Sequence, residues 1–120
     1  MQAPRVTMTV RLINPATSII GIHGEMNTYA EEALMDAYAQ AIGPRTRTII
    51  LDFAGLDYMN SGGIGLLVTL LIRMQRQHQR LLACGLSEHY QHILELSRLN
   101  EAVGIYDNEA EALAAAAAGS

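Results

Sequence analysis

Lysine and tryptophan are absent from this 120-residue sequence, and cysteine and phenylalanine occur once each. Every absence removes a class of function. Without lysine there is no Gly-Lys-Ser/Thr ending for a phosphate-binding P-loop. A single cysteine, Cys84, closes no intramolecular bridge and supplies no four-cysteine zinc set. All basic residues are arginines, at 5, 11, 45, 47, 73, 76, 80 and 98, and the formal charge is −4. The arginines cluster only at Arg73, Arg76 and Arg80, where a solvated helix face is expected. Aromatic residues are 5% of the chain and scattered, so no basic stripe interleaved with aromatics invites a nucleic acid. The longest apolar-leaning run, Ile64 to Ile72, falls far short of the ~20 residues that span a bilayer. Met1-Gln2-Ala3-Pro4 lacks the basic-then-apolar layout of a signal peptide, which makes the cytoplasm the expected compartment.

What remains is half apolar, enough for one domain that buries roughly 65% of its unfolded surface. Residues 5 to 12 alternate polar and apolar, predicting a strand with Val6, Met8, Val10 and Leu12 inward. Asn14-Pro15 makes a turn, and Thr17 to His23 is the returning strand, ended by Gly24. Asn27 or Thr28 caps a helix with Glu31 and Glu32 in its first turn, which runs to about Ala41 before Gly43-Pro44. Thr48 to Phe53 is an almost unbroken apolar strand, followed by an Asp57-Tyr58-Met59 turn. A long helix then runs from Asn60-Ser61-Gly62-Gly63 to about Gln79. Its apolar first half is either deeply packed or lies beneath a partner. Leu81 to Cys84 is a short buried strand, Ser87 caps a helix to about Leu96, and Gly104 to Tyr106 is a last strand. Asn108 caps a final helix that runs into the alanines at 114 to 118, a tail expected to fray because nothing larger than alanine follows Leu113.

An opening β-hairpin followed by alternating βα units predicts an α/β domain with a mostly parallel sheet of about five strands and four helices. Open sheets of this kind place their sites at the carboxyl ends of strands, here the junction from Asp57 to Gly65. Orphan amides at a helix start, with two glycines beside them, suit an anion, including a phosphate carried on the protein itself. Capping by Asn60 or Ser61 is the plainer task of the same residues. Enzyme motifs fail at this junction. Gly63-Ile-Gly65-Leu-Leu-Val68 has valine where a dinucleotide fingerprint needs glycine or alanine. Met59-Asn-Ser61-Gly-Gly63 lacks the first glycine of a nucleophile elbow. His89 and His92, with Glu88 and Cys84 near in sequence, have no fourth ligand at matching spacing, so no metal is expected and the histidines read as solvent-exposed. Cys84 reads as a buried small apolar residue.

The run Ile49-Ile-Leu-Asp-Phe-Ala-Gly-Leu-Asp-Tyr-Met-Asn-Ser-Gly-Gly-Ile-Gly-Leu-Leu67 resembles the signature of STAS domains, in which an apolar strand leads through Asp-Ser-Ser/Thr-Gly-Leu-Gly into a helix. Gly24-Glu25-Met26-Asn27 resembles that family's Gly-Glu-Leu-Asp. Leu81 to Leu86, Ile93 to Leu99, and Ile105-Tyr-Asp107 with Glu111-Ala-Leu113 resemble its later elements. The resemblance implies a single STAS domain over 1–120, with an ordered core of about 4–113. Its best-known members are bacterial anti-sigma factor antagonists, non-enzymatic regulators without a cofactor. They bind a partner that is both anti-sigma factor and serine kinase, of the histidine-kinase-like ATPase fold. Phosphorylation of a Ser or Thr at the start of the second helix breaks that complex. Aligned on Gly63 and Gly65, the family's Asp falls at Asn60, its first Ser at Ser61 and its usual phosphoacceptor at Gly62. Ser61 is therefore the alternative acceptor. Asn27 likewise replaces an aspartate. The implied partner surface comprises Met59, Asn60, Ser61, Gly62, Gly63 and Ile64 with Glu25, Met26, Asn27 and Thr28. An unswitched scaffold of a signalling assembly, a soluble subunit of a lipid-transport system and, last, a small serine hydrolase are the competing roles. The residues specify no oligomeric state, a dimer being one option.

Overall fold

In the computed structural model, which describes residues 5–119, a hairpin of β1 (Val6–Asn14) and β2 (Thr17–Met26) opens the chain. A 3₁₀ turn (Thr28–Ala30) leads into α1 (Glu31–Ala41), followed by β3 (Thr48–Met59), α2 (Ser61–Arg76) and β4 (Arg80–Cys84). Then come α3 (Glu88–Leu96), a second 3₁₀ turn (Leu99–Glu101), β5 (Gly104–Tyr106) and α4 (Glu109–Ala118). The five strands lie in the order β1-β2-β3-β4-β5, with β1 antiparallel to β2 and all other pairs parallel. This is the α/β architecture expected from the alternation of elements.

The sequential order has a consequence for layering. Each new strand adds on the same side of the last, and right-handed crossovers then put every connecting helix on one face. Leu34 and Tyr38 of α1, Leu70 and Met74 of α2, and Leu94 of α3 accordingly share one core with Ile22, Leu51, Phe53 and Ala83. Ile19, Ile50, Leu82 and Cys84 point to the opposite face, which α4 covers with Ala112 and Ala116. The strand order never reverses, so the site is not marked by a switch point between oppositely wound halves.

Polar side chains cap α2, α3 and α4 where the sequence suggested. Asn27, expected to cap α1, instead caps the preceding 3₁₀ turn, and α1 follows Ala30 with no side-chain cap because that turn intervenes. The Asn27 carboxamide oxygen accepts from the Tyr29 amide, Asn60 from Gly63, Ser87 from Tyr90 and Asn108 from Glu111. Among the described residues, no helix is long and apolar enough to cross a membrane.

Several boundaries differ from expectation. Leu12 is not inward: Val6, Met8 and Val10 pack on the helix-side core, but Leu12 is 70% exposed because none of the described residues covers it. β2 does not stop at Gly24. It continues to Met26, and Gly24 takes φ +98° where its Cα approaches the Arg5 carbonyl; a Cβ there would lie 2.2 Å from that oxygen. β3 runs to Met59 and absorbs the expected Asp57-Tyr58-Met59 turn, since its parallel partner β2 also continues, pairing Glu25 with Tyr58 and Met26 with Met59. α2 ends at Arg76, before Gln79 and before His78, which takes φ +58°. α4 extends beyond Leu113 to Ala118. Ala112 and Ala116 are buried against the sheet, where small side chains let the helix come close.

Candidate functional site

The extended β2 and β3 carry two adjacent chain segments past the rest of the sheet. There the first turn of α2 meets the Met26–Thr28 crossover. Three hydrogen bonds tie this corner together. The Asn60 amide donates to the Met26 carbonyl at 3.2 Å, and the Gly63 amide to Asn60 Oδ1 at 3.0 Å. The Met59 amide donates to the Tyr90 hydroxyl at 2.9 Å, which anchors the end of β3 to α3. Met26 and Met59 fill the space beneath, 0% and 3% exposed.

Close packing explains both glycines. A Cβ on Gly63 would lie 2.2 Å from the Met26 carbonyl oxygen, an impossible approach to backbone. A Cβ on Gly62 would lie 2.6 Å from the Thr28 methyl and 3.2 Å from the Thr28 amide nitrogen. The position aligned with the family's acceptor therefore lacks the hydroxyl, and a side chain there would require Thr28 to shift. Gly65, by contrast, faces open space, with nothing within 4 Å of its Cβ direction.

The ten residues of the expected surface separate into two sets. Ser61 and Thr28 are exposed, and Glu25, Asn27, Asn60, Gly62 and Ile64 are half-buried, so these seven share an accessible corner. Met26, Met59 and Gly63 are buried and support that corner without forming it. Two further aromatic residues on these segments, not among the expected ones, are exposed: Tyr29 and Tyr58, at 57% and 53%. Tyr58 is paired with Glu25 across the β2–β3 ladder, and Tyr29 follows Thr28 on the 3₁₀ turn. Placing Tyr58 in a turn hid the tyrosine; strand alternation around the buried Met59 would have pointed it outward.

Ser61 occupies the first helical position of α2, one residue after the cap. Its own amide and that of Gly62 have no intrahelical acceptor there, and the positive end of the helix dipole faces outward. The apolar first half of α2 is packed and exposed in turn: Leu66, Leu67, Leu70, Leu71 and Met74 are buried, Ile64 and Val68 are half-buried, and Ile72 is 46% exposed.

The histidines at the third helix lie apart from this corner's chemistry. His89 and His92 are both exposed, His89 edge-on to Tyr90 and His92 beside Glu95 at 3.9 Å. On the opposite face of the sheet, burial pushes the Cys84 thiol up to about 12, reinforced by the Asp52 and Glu109 carboxylates and by a hydrogen bond to Asp52. There Arg11 pairs with Glu109, which with Asp52 holds the guanidinium charged beyond its ordinary value.

The sequential sheet with its crossover-and-helix corner is the arrangement of one protein class. The family model for the STAS domain matches residues 9–112, and the chain belongs to that family. Among its relatives is the anti-sigma F factor antagonist of Paenibacillus polymyxa, 25% identical over 96 residues that cover 79% of this chain and 82% of that protein. The Bacillus cell fate determinant SpoIIAA in its phosphorylated form superposes with a TM-score of 0.69 at 23% identity, covering 89% of this chain and 96% of the other. A sulfate transporter family protein from Wolinella succinogenes shares the fold, with a TM-score of 0.75, 20% identity and 88% of both chains covered.

Proposed function

We propose that the chain is a non-enzymatic, cytoplasmic regulator that acts as an anti-sigma factor antagonist. In this reading it engages an anti-sigma factor that is also a serine kinase of the histidine-kinase-like ATPase fold. The contact surface is the corner of Ser61, Gly62, Ile64, Glu25, Asn27 and Thr28, with Tyr29 and Tyr58 as aromatic anchors of the kind that dominate interfaces. One observation carries the reading: an exposed serine opens α2 beside the exposed Thr28 turn, in a chain resembling a known antagonist over 79% of its length.

Phosphate on Ser61 would add about −2 charge at the centre of this surface, where the helix dipole stabilises it within the folded chain. Glu25 and the exposed Asp57 already make the neighbourhood acidic, so the added charge repels a partner that must desolvate it. Gly62 favours one variant of this function, a constantly competent binder with no phosphate switch.

The test is binding and phosphate transfer with the cognate kinase. Because a side chain at 62 strains Thr28, the clean probes are Ser61→Glu and Tyr58→Ala, both at exposed positions. Each should weaken kinase binding at least ~10-fold by calorimetry with an unchanged thermal midpoint. Wild-type affinity in both variants would place the interface elsewhere. With ATP present, phosphate on Ser61 alone supports the switch, and no phosphate with binding retained supports the constant binder. Phosphate at another residue, with Ser61→Ala fully active, removes Ser61 from the mechanism.

A further inference from the structure

Beyond that reading, one edge of the sheet is unguarded. Natural edge strands discourage pairing with charge, proline, bulges or shortness. β5, at one end of the sheet, is only Gly104–Tyr106, whereas β1, at the other, extends over Val6–Asn14. Between Arg5 and Asn14 the sequence has no proline and no acidic residue. Its ladder with β2 is regular from Val6 to Leu12, with the one irregularity at the turn. Arg11, the single charge within the strand, is held on the α4 face by Glu109. It therefore does not guard the outer backbone groups.

The helix-side face of β1 is unfinished. Val6, Met8 and Val10 are only half-buried under α1, and Leu12, next in the same alternation, is 70% exposed. A strand pattern that continues one residue past its own cover is explained if a second surface completes the cover.

We propose that β1 pairs antiparallel with β1 of a second copy of this chain, about a two-fold axis at Thr9, to make one continuous sheet across two protomers. Directly opposed residues in an antiparallel pair share a face. Centring on Thr9 opposes Val6 with Leu12 and Met8 with Val10, so each of the four apolar residues meets another. On the other face Thr7 opposes Arg11, Arg5 opposes Ile13 and no two arginines meet. Moving the axis to Met8 would set Arg5 against Arg11 and carry Leu12 past the start of the facing strand at Val6. Moving it to Arg11 would set that arginine against its own copy. Centring on Val10 avoids like charges but sets Val6 against the polar Asn14. The Thr9 register alone fulfils both conditions.

The neighbouring helix allows the approach. On α1, Met35 lies toward α2, where Arg73 touches its sulfur. The flank turned away from Met35 carries the half-buried Ala33 and the exposed Gln40, with Ala37 buried toward the sheet. The small Ala33 lets two α1 helices approach within the usual 8–10 Å separation above the joined strands. The two-fold would direct the Ser61 corners of the two protomers to opposite ends of the joined sheet, giving an assembly with two outward-facing partner surfaces.

Cross-linking and mass in solution test this, independently of any partner. Thr9→Cys places two thiols opposite each other at the axis, within the Cα separation that a disulfide bridges. The one native thiol, Cys84, is buried and gives no background. The proposal expects a disulfide-linked dimer of Thr9→Cys under mild oxidation, and a wild-type mass of twice 13.1 kDa by light scattering. Leu12→Lys, at an exposed position, removes two apolar contacts per dimer and should raise the dimer Kd about 100-fold or more with unchanged circular dichroism. A wild-type chain that stays monomeric at about 0.5 mM, a Thr9→Cys chain that does not cross-link, or a dimer indifferent to Leu12→Lys would each overturn it.

Discussion

Three glycines within four positions show how much one hydrogen's worth of space decides. Their surroundings grade the cost of a methyl group from backbone collision to none. Gly63→Ala drives Cβ into the Met26 carbonyl and should cost about 3 kcal/mol, at the upper end of overpacking effects. Gly62→Ser meets the rotatable Thr28 side chain and should cost about 1 kcal/mol, most of it recovered when Thr28→Ser removes the methyl. Gly65→Ala meets nothing and should stabilise by about 0.5–1 kcal/mol through helix propensity alone. Urea unfolding of the four variants checks both the order and the sign. The series bears on function because restoring the family's hydroxyl at 62 demands a compensating change in the facing loop.

Among the elements, α4 and β3 depart most instructively from what their residues suggested. An alanine tract carries no apolar periodicity to indicate a buried face, so its end looked unsupported after Leu113. Packed on Ile19, Ile50 and Leu82, the same small side chains permit close helix–sheet contact. Enlarging one of them should therefore harm the protein. Ala112→Leu is expected to lower stability by about 2 kcal/mol in thermal or urea unfolding, and the exposed Ala114→Leu to change it by less than about 0.5 kcal/mol. In β3 Ala54-Gly55 and then Asp57 interrupt the bulky apolar run after Phe53, which made the strand look short. Its continuation depends on a neighbouring strand that also continues, and the pairing of Glu25 with Tyr58 is invisible in either segment alone.

At the scale of the whole molecule, one titration on the covered face sets how stability responds to alkali. The Cys84 thiol is held up at about 12 in the fold, above its ordinary value near 9. Between those values the unfolded chain loses a proton that the folded chain retains, so stability falls as pH rises. The contribution is fully present below about pH 8.5 and is lost toward pH 12, at up to about 1.4 kcal/mol per pH unit. Burial raises the Tyr38 hydroxyl in the same direction. Urea midpoints should thus be flat from neutral pH to about 8.5 and decline above it. Cys84→Ala should flatten the first part of that decline, and the folded wild type should resist iodoacetamide at pH 8 until denatured.

Much of this organisation is legible in the amino-acid sequence alone. Element types and their order follow from local periodicity and capping residues, because those are properties of neighbours along the chain. The family likeness at 49–67 and the glycine in place of an acceptor hydroxyl are equally direct readings of residues. Tertiary structure alone decided that Thr28 crowds the space at Gly62, that Met26 and Met59 are buried while Tyr29 and Tyr58 are exposed, and that Leu12 is exposed. Each of these depends on a segment distant in sequence, and periodicity says which way a side chain points but not what, if anything, meets it there.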